Sequence, residues 1–104
     1  MENYQIELCK RIADQCKCRL KVNAAVANMC YIIEPTMSIA FGSLKSVKAQ
    51  IYFEDEMINI SFSSDVPVDL TTESYHLGDP DLINKAVSII TAAKPFTKMM
   101  YDFG

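Results

Sequence analysis

The chain has no tryptophan, a single histidine, only three glycines and no long apolar run. Each scarcity removes a class of function. The glycines stand singly at positions 42, 78 and 104, so there is no glycine-rich loop to cradle a phosphate. The four cysteines, at 9, 16, 18 and 30, are separated by six, one and eleven residues. That spacing lacks the paired thiolates by which one turn presents two ligands to a tetrahedral zinc. His76 is the one candidate general base. No local pattern around any cysteine marks a nucleophile for it to activate. Asp79 with Asp81, and Glu54-Asp55-Glu56, lack the ligand spacing of a calcium loop and read as helix-start and turn residues.

The longest nearly apolar stretch, Ala24 to Ile33, is interrupted by Asn28. It falls far short of the roughly 20 residues of a membrane-spanning helix. Met1 to Gln5 has none of the cationic, apolar and cleavage regions of a signal peptide. The expectation is a cytoplasmic protein with reduced thiols, no membrane, no metal and no cofactor.

What is present is apolar residues. They make up half of the 104 positions, enough for one domain, 1–104, around one core. A domain this small and this apolar has difficulty hiding every large side chain, so self-association as a homodimer is expected. The net charge of −3 is unevenly spread. Residues 1–50 carry seven Lys/Arg against four Asp/Glu (+3), and residues 51–104 carry three against nine (−6).

Residues 3–18 have a helical stripe of Leu8, Cys9, Ile12, Ala13 and Cys16, with Asn3 as the expected N-cap. Residues 19–23 alternate charged and apolar side chains, the period of a half-buried strand. Residues 29–33, short and β-rich, read as a second strand. Ser38–Phe41 suggests a further strand, with Gly42–Ser46 as its turn. The firmest signal is two runs of period two, 47–54 and 58–63, around the acidic turn Asp55-Glu56. They predict a hairpin with one dry face and one wet face. On this reading Lys48, Gln50, Tyr52, Asn59 and Ser61 lie on the wet face. Residues 70–77 suggest an edge strand. Gly78-Asp79-Pro80-Asp81 opens a helix, capped by Asp79, that runs to Pro95. Beyond it Phe96, Met99, Met100 and Phe103 repeat at i, i+3, i+4 and i+7, a helical spacing. The predicted class is α+β: an antiparallel sheet of four to five strands with an N-terminal and a C-terminal helix packed against it.

Three surfaces are candidates for contact. The tail stripe is either core or a seam for another chain; Met99, Met100 and Phe103 are its candidate contacts, of which Met100 and Phe103 lie furthest from the anchored helix. The wet face of the hairpin offers Tyr52 and Asn59 to a protein partner. Lys10, Arg11, Lys17, Arg19 and Lys21 form a basic cluster of the kind that grips phosphate backbones, though Tyr4 is the only aromatic close to it. The functional expectation is a small non-enzymatic intracellular protein-binding module. It would be an adaptor, or an inhibitor of the sort carried by mobile elements, occupying the surface of a protein partner. The alternatives are a nucleic-acid-associated protein using the basic first helix and, third, a small cysteine/histidine enzyme or metal protein.

Overall fold

The computed structural model describes residues 1–23, 26–34, 44–63 and 70–99. They form, in chain order, α1 (Asn3–Gln15), β1 (Arg19–Val22), β2 (Met29–Ile33), β3 (Leu44–Glu54), β4 (Met57–Ser63), β5 (Leu70–His76), α2 (Leu82–Ala92) and β6 (Phe96–Met99). The sheet is an antiparallel meander β1-β2-β3-β4-β5, and β6 pairs with the start of β3. The α+β class is as the hydrophobic periods predict, with six strands rather than four or five.

Helix α1 begins at Asn3 as expected, ends at Gln15 rather than at residue 18, and has a different N-cap. Glu2, not Asn3, is the N-cap, and its N–H donates to Gln5 Oε1 at 3.1 Å. The helix closes without glycine. Lys17 takes φ 56°, and the N–H groups of Lys17 and Cys18 reach back to the carbonyls of Asp14 and Ala13. This closure satisfies carbonyls that the helix end would otherwise leave unpaired. In α2 the N-cap is Asp81 rather than Asp79. Asp79 instead accepts from the Asp81 N–H at 2.8 Å and pairs with Lys85 at 2.7 Å.

Both helices lie on one face of the sheet. Cys9, Ile12 and Ala13 of α1 and Leu82, Ala86 and Ile90 of α2 enclose Cys30, Ile32, Ala49, Ile51, Phe53, Ile58 and Ile60. The hairpin alternation holds over β4 and most of β3, and it fails at Lys48. Ile32 pairs with Ala49 but Ile33 pairs with Val47, so β3 carries one extra residue at that point. Such a bulge reverses the facing of the residues beyond it. Val47 therefore joins Tyr31 and Ile33 on the face away from the helices. Lys48 departs from the expected wet face and reaches the carbonyls of Thr91 and Ala93 at the end of α2.

Two further expectations change. Leu44–Ser46 belong to β3, not to a turn, while the suggested strand at 38–41 lies outside the described residues. The helical tail is a strand in its first part: Phe96–Met99 pair with Val47–Leu44. Pro95 removes the N–H needed to continue α2, and the first four residues of β3 provide a partner strand for the residues after it. With β4 occupying Ala49–Glu54 on the same side of β3, β6 takes up the line where β4 stops. Met100 and Phe103 lie outside the described residues.

Candidate functional site

The face of the sheet away from the helices is built by alternation along each strand. Leu20 packs in the helix-side core, so Arg19 and Lys21 on β1 point to the other side. On β2 the same face carries Met29, Tyr31 and Ile33. Beyond the bulge, β3 adds Val47 and Lys45, and β6 adds Phe96 and Lys98, which pair with them. Tyr31 (6% exposed) and Ile33 (8%) are buried against Val47, Met29 and Phe96. The Lys98 ammonium sits 5.6 Å from the centre of the Tyr31 ring, a separation at which cation–π attraction operates. The Tyr31 hydroxyl accepts from Asn23 Nδ2 at 3.1 Å.

This arrangement is a small apolar cluster rimmed by Arg19, Lys21, Lys45 and Lys98. Among the described residues no carboxylate shares that part of the face. Glu34, the nearest in sequence, instead accepts from Ser46 Oγ at 2.9 Å, and Ser46 lies on the helix side by alternation from Val47. Of the other described carboxylates, Glu54, Asp55 and Glu56 lie at the exposed β3–β4 turn, Asp79 and Asp81 at the start of α2, Glu2, Glu7 and Asp14 on or beside α1, and Glu73 on β5.

The same face continues across β4 and β5 with polar groups. Tyr52 is half-buried beside its cross-strand partners Met29 and Asn59. Asn59 is buried. Its Nδ2 donates to the Tyr52 carbonyl at 3.4 Å, and its Oδ1 accepts from Ser74 Oγ at 2.6 Å. Ser61 is likewise tied to Thr72, at 2.9 Å. The structure thus brings the predicted Tyr52 and Asn59 together, with Asn59 spent on internal bonds. It places the Met99 backbone opposite Leu44, at the far end of the apolar cluster.

The basic cluster read from residues 10–21 is divided. Arg19 and Lys21 lie on the open face, whereas Lys10, Arg11 and Lys17 belong to the helical layer or its closing turn. Lys10 sits 3.8 Å from Glu7. Lys45 and Lys98 were missed by sequence reasoning. Only the bulge and the β3–β6 pairing bring them beside Arg19 and Lys21.

The remaining chemical groups are engaged structurally. Cys9 Sγ and Cys30 Sγ lie 3.3 Å apart, both fully buried. The hydrogen bond to Cys9 and burial push the Cys30 thiol far up. Burial also raises the thiols of Cys16 and Cys18, which makes them weak nucleophiles. His76 is exposed at the end of β5. Its Nδ1 accepts from the Gly78 N–H at 3.0 Å, and its Nε2 lies 3.7 Å from Glu56. Among the described residues no three or more His, Cys, Asp or Glu side chains are grouped to hold a metal ion, and no helix is long and apolar enough to cross a membrane. An open cleft of about 340 Å³ runs between α1 and the start of α2, lined by Leu8, Arg11, Gln15, Leu77 and Asp79 among others. Its charges are of both signs, and Asp79 is already held by Lys85.

No family model matches the chain, and neither a curated protein nor a solved structure shows significant similarity to it.

Proposed function

We propose that this chain is a non-enzymatic protein-binding module whose open sheet face receives an acidic segment of a partner, as an adaptor or as an inhibitor occupying that partner's surface. The observation that carries the reading is the rim of Arg19, Lys21, Lys45 and Lys98 around the cluster of Met29, Tyr31, Ile33, Val47 and Phe96. A protein with a net charge of −3 that gathers four cations on one part of one face favours negatively charged partners there. The apolar cluster supplies a centre and the cations a steering rim, the usual division of labour in a protein interface. Tyr52 borders the cluster and extends the contact toward β4.

Nucleic acid is the second reading, and the cations favour it too. Against it, Tyr31 is buried beneath Lys98 rather than free to stack on bases, as single-strand binding requires. The division of the basic residues between the helical layer and the open face also leaves no continuous basic track along α1.

The test is selection from a peptide-display library, followed by titration of the selected peptides and of a single-stranded oligothymidine. The expected outcome is enrichment of acidic peptides with apolar residues. Their binding weakens with salt and is lost in Lys45→Glu with Lys98→Glu, while circular dichroism is unchanged. Enrichment of neutral or basic peptides, or indifference to the double substitution, refutes the reading. Tight, salt-dependent binding of the oligonucleotide alone replaces it with the second.

A further inference from the structure

The two ends of the sheet differ in how much backbone they leave unpaired. At the β4–β5 end, the Leu77 N–H donates to the Glu56 carbonyl at 2.9 Å. This bond continues the ladder one step past the Met57–His76 pair. In an antiparallel ladder, hydrogen-bonded and non-bonded pairs alternate. The bonded pairs are therefore Tyr75–Ile58, Glu73–Ile60 and Thr71–Phe62. Leu70, Thr72, Ser74 and His76 consequently turn their N–H and C=O groups away from β4, toward the edge. Of these, only the His76 carbonyl has a further described partner, the Asp79 N–H at 3.0 Å. Thr72, Glu73 and Ser74 are exposed.

The other end is guarded. The Asn23 N–H donates to the Met29 carbonyl, so on β1 only Leu20 and Val22 direct backbone groups outward. Arg19 and Lys21 flank them, and short edges bearing charge resist strand addition.

We infer that the β5 edge is a homodimer interface, at which a second copy of the chain pairs antiparallel about a two-fold axis at Ser74. Outward-facing residues must meet outward-facing residues, which restricts the registers. One centred on Glu73 sets two carboxylates directly opposite each other, and like charges so placed repel. One centred on Thr72 engages only residues 70–74. Centring on Ser74 pairs residues 71–77: Ser74 with Ser74, Thr72 with His76, and Glu73 with Tyr75, so that no carboxylate directly faces another. An interface about a two-fold axis has to be self-complementary, and β5 meets that requirement in hydrogen-bond phase. The side chains of β5 are mostly polar, so the association draws on main-chain bonds, as in strand addition generally. The meander of each copy then forms half of one continuous sheet. This interface is separate from the cationic face and does not depend on it.

The experiment is sedimentation equilibrium of the full chain over a concentration series, with phase-selective proline substitutions. The wild type is expected to be a reversible dimer. Ser74→Pro removes an outward N–H and the Oγ bond to Asn59 but spares the backbone ladder to β4, as proline on an edge strand can. It should keep the circular dichroism and weaken dimerisation roughly 30-fold or more, through the two central bonds lost. Tyr75→Pro removes an inward N–H and should disrupt β5 itself. If Ser74→Pro does not fold, Ser74→Lys places like charges at the axis and should give the same monomer. Ser74→Cys, oxidised with glutathione disulfide, should yield a 74–74 link by peptide mass spectrometry. A wild type that stays monomeric, a folded Ser74→Pro or Ser74→Lys that dimerises as tightly as wild type, or cross-linking without the 74–74 species overturns the inference.

Discussion

Lys48 offers the sharpest test of how this sheet is built. Helix α2 has no basic residue in its last turn, where unpaired carbonyls collect negative partial charge. The bulge in β3 supplies the missing cation from the sheet: the Lys48 ammonium donates to the Thr91 carbonyl at 3.2 Å and also to that of Ala93. Hydrogen bonds from a charged donor contribute about 1.5–3 kcal/mol in partly buried settings. Both bonds here share one half-buried ammonium, so about 2 kcal/mol is a fair total. With an unfolding entropy of about 2.1 cal/mol/K per residue over a chain of this length, that corresponds to a Tm about 9 °C lower. Lys48→Met keeps the aliphatic stem and removes only the donor. Urea unfolding should show a lower midpoint at an unchanged slope, and Lys48→Arg should recover part of the loss. If β3 alternated strictly, Lys48 would sit on the open face and its replacement would cost less than about 0.5 kcal/mol. A measured loss that small in Lys48→Met refutes both the bulge and the cap.

Other consequences can be checked with the same protein. Ile51→Ala empties a fully buried site between the helices and the sheet and should cost about 3 kcal/mol in urea unfolding. Toward a chromogenic disulfide reagent at neutral pH, Cys16 and Cys18 should react slowly, because burial raises their thiols. Cys9 and Cys30, with no exposed surface, should react only after denaturant is added. The Asp79 carboxyl is held below the usual carboxylate range by Lys85 and by the Asp81 N–H. A group with a depressed folded-state pKa stabilises fully above its unfolded value, near 3.9, and loses that contribution as pH falls through the folded value. Asp79→Asn should therefore be less stable than wild type at pH 7, with the two curves converging in acid.

How legible each feature was in the sequence depends on how far its signal reaches along the chain. Ile51 and Phe53 against Ile58 and Ile60 declare the hairpin because their period of two is local. Leu8, Ile12 and Cys16 declare α1 in the same way. Phe96 and Met99 misled because a spacing of three residues also fits a four-residue strand, and the decision between them rests on pairing with Leu44–Val47, about fifty positions earlier. Tyr52 and Asn59 were correctly placed on one face by alternation, but the bonds that bury Asn59 come from Ser74 on a later strand. The cationic rim was illegible because Arg19, Lys21, Lys45 and Lys98 come from three strands and one bulge. The phase of the β5 edge depends on one hydrogen bond, from Leu77 to Glu56, which no side-chain pattern encodes.

The two surfaces make a joint prediction that neither makes alone. A two-fold axis perpendicular to a continuous sheet leaves both open faces on the same side of the dimer. Each cationic rim, built from β1, β3 and β6, then lies away from the central β5 pair. A partner carrying two acidic segments on a flexible linker long enough to span the rims would bind the second one intramolecularly. Avidity of that kind exceeds single-site affinity by about 100-fold or more. Ser74→Pro should abolish the gain while leaving the affinity for a single acidic segment unchanged. Lys45→Glu with Lys98→Glu should abolish both and leave dimerisation intact. Calorimetric titration of single and tandem forms of one selected acidic peptide against the three proteins separates these outcomes. If the tandem peptide gains nothing with a wild type shown to be dimeric, the rims do not face the same way, and the axis does not stand perpendicular to the sheet.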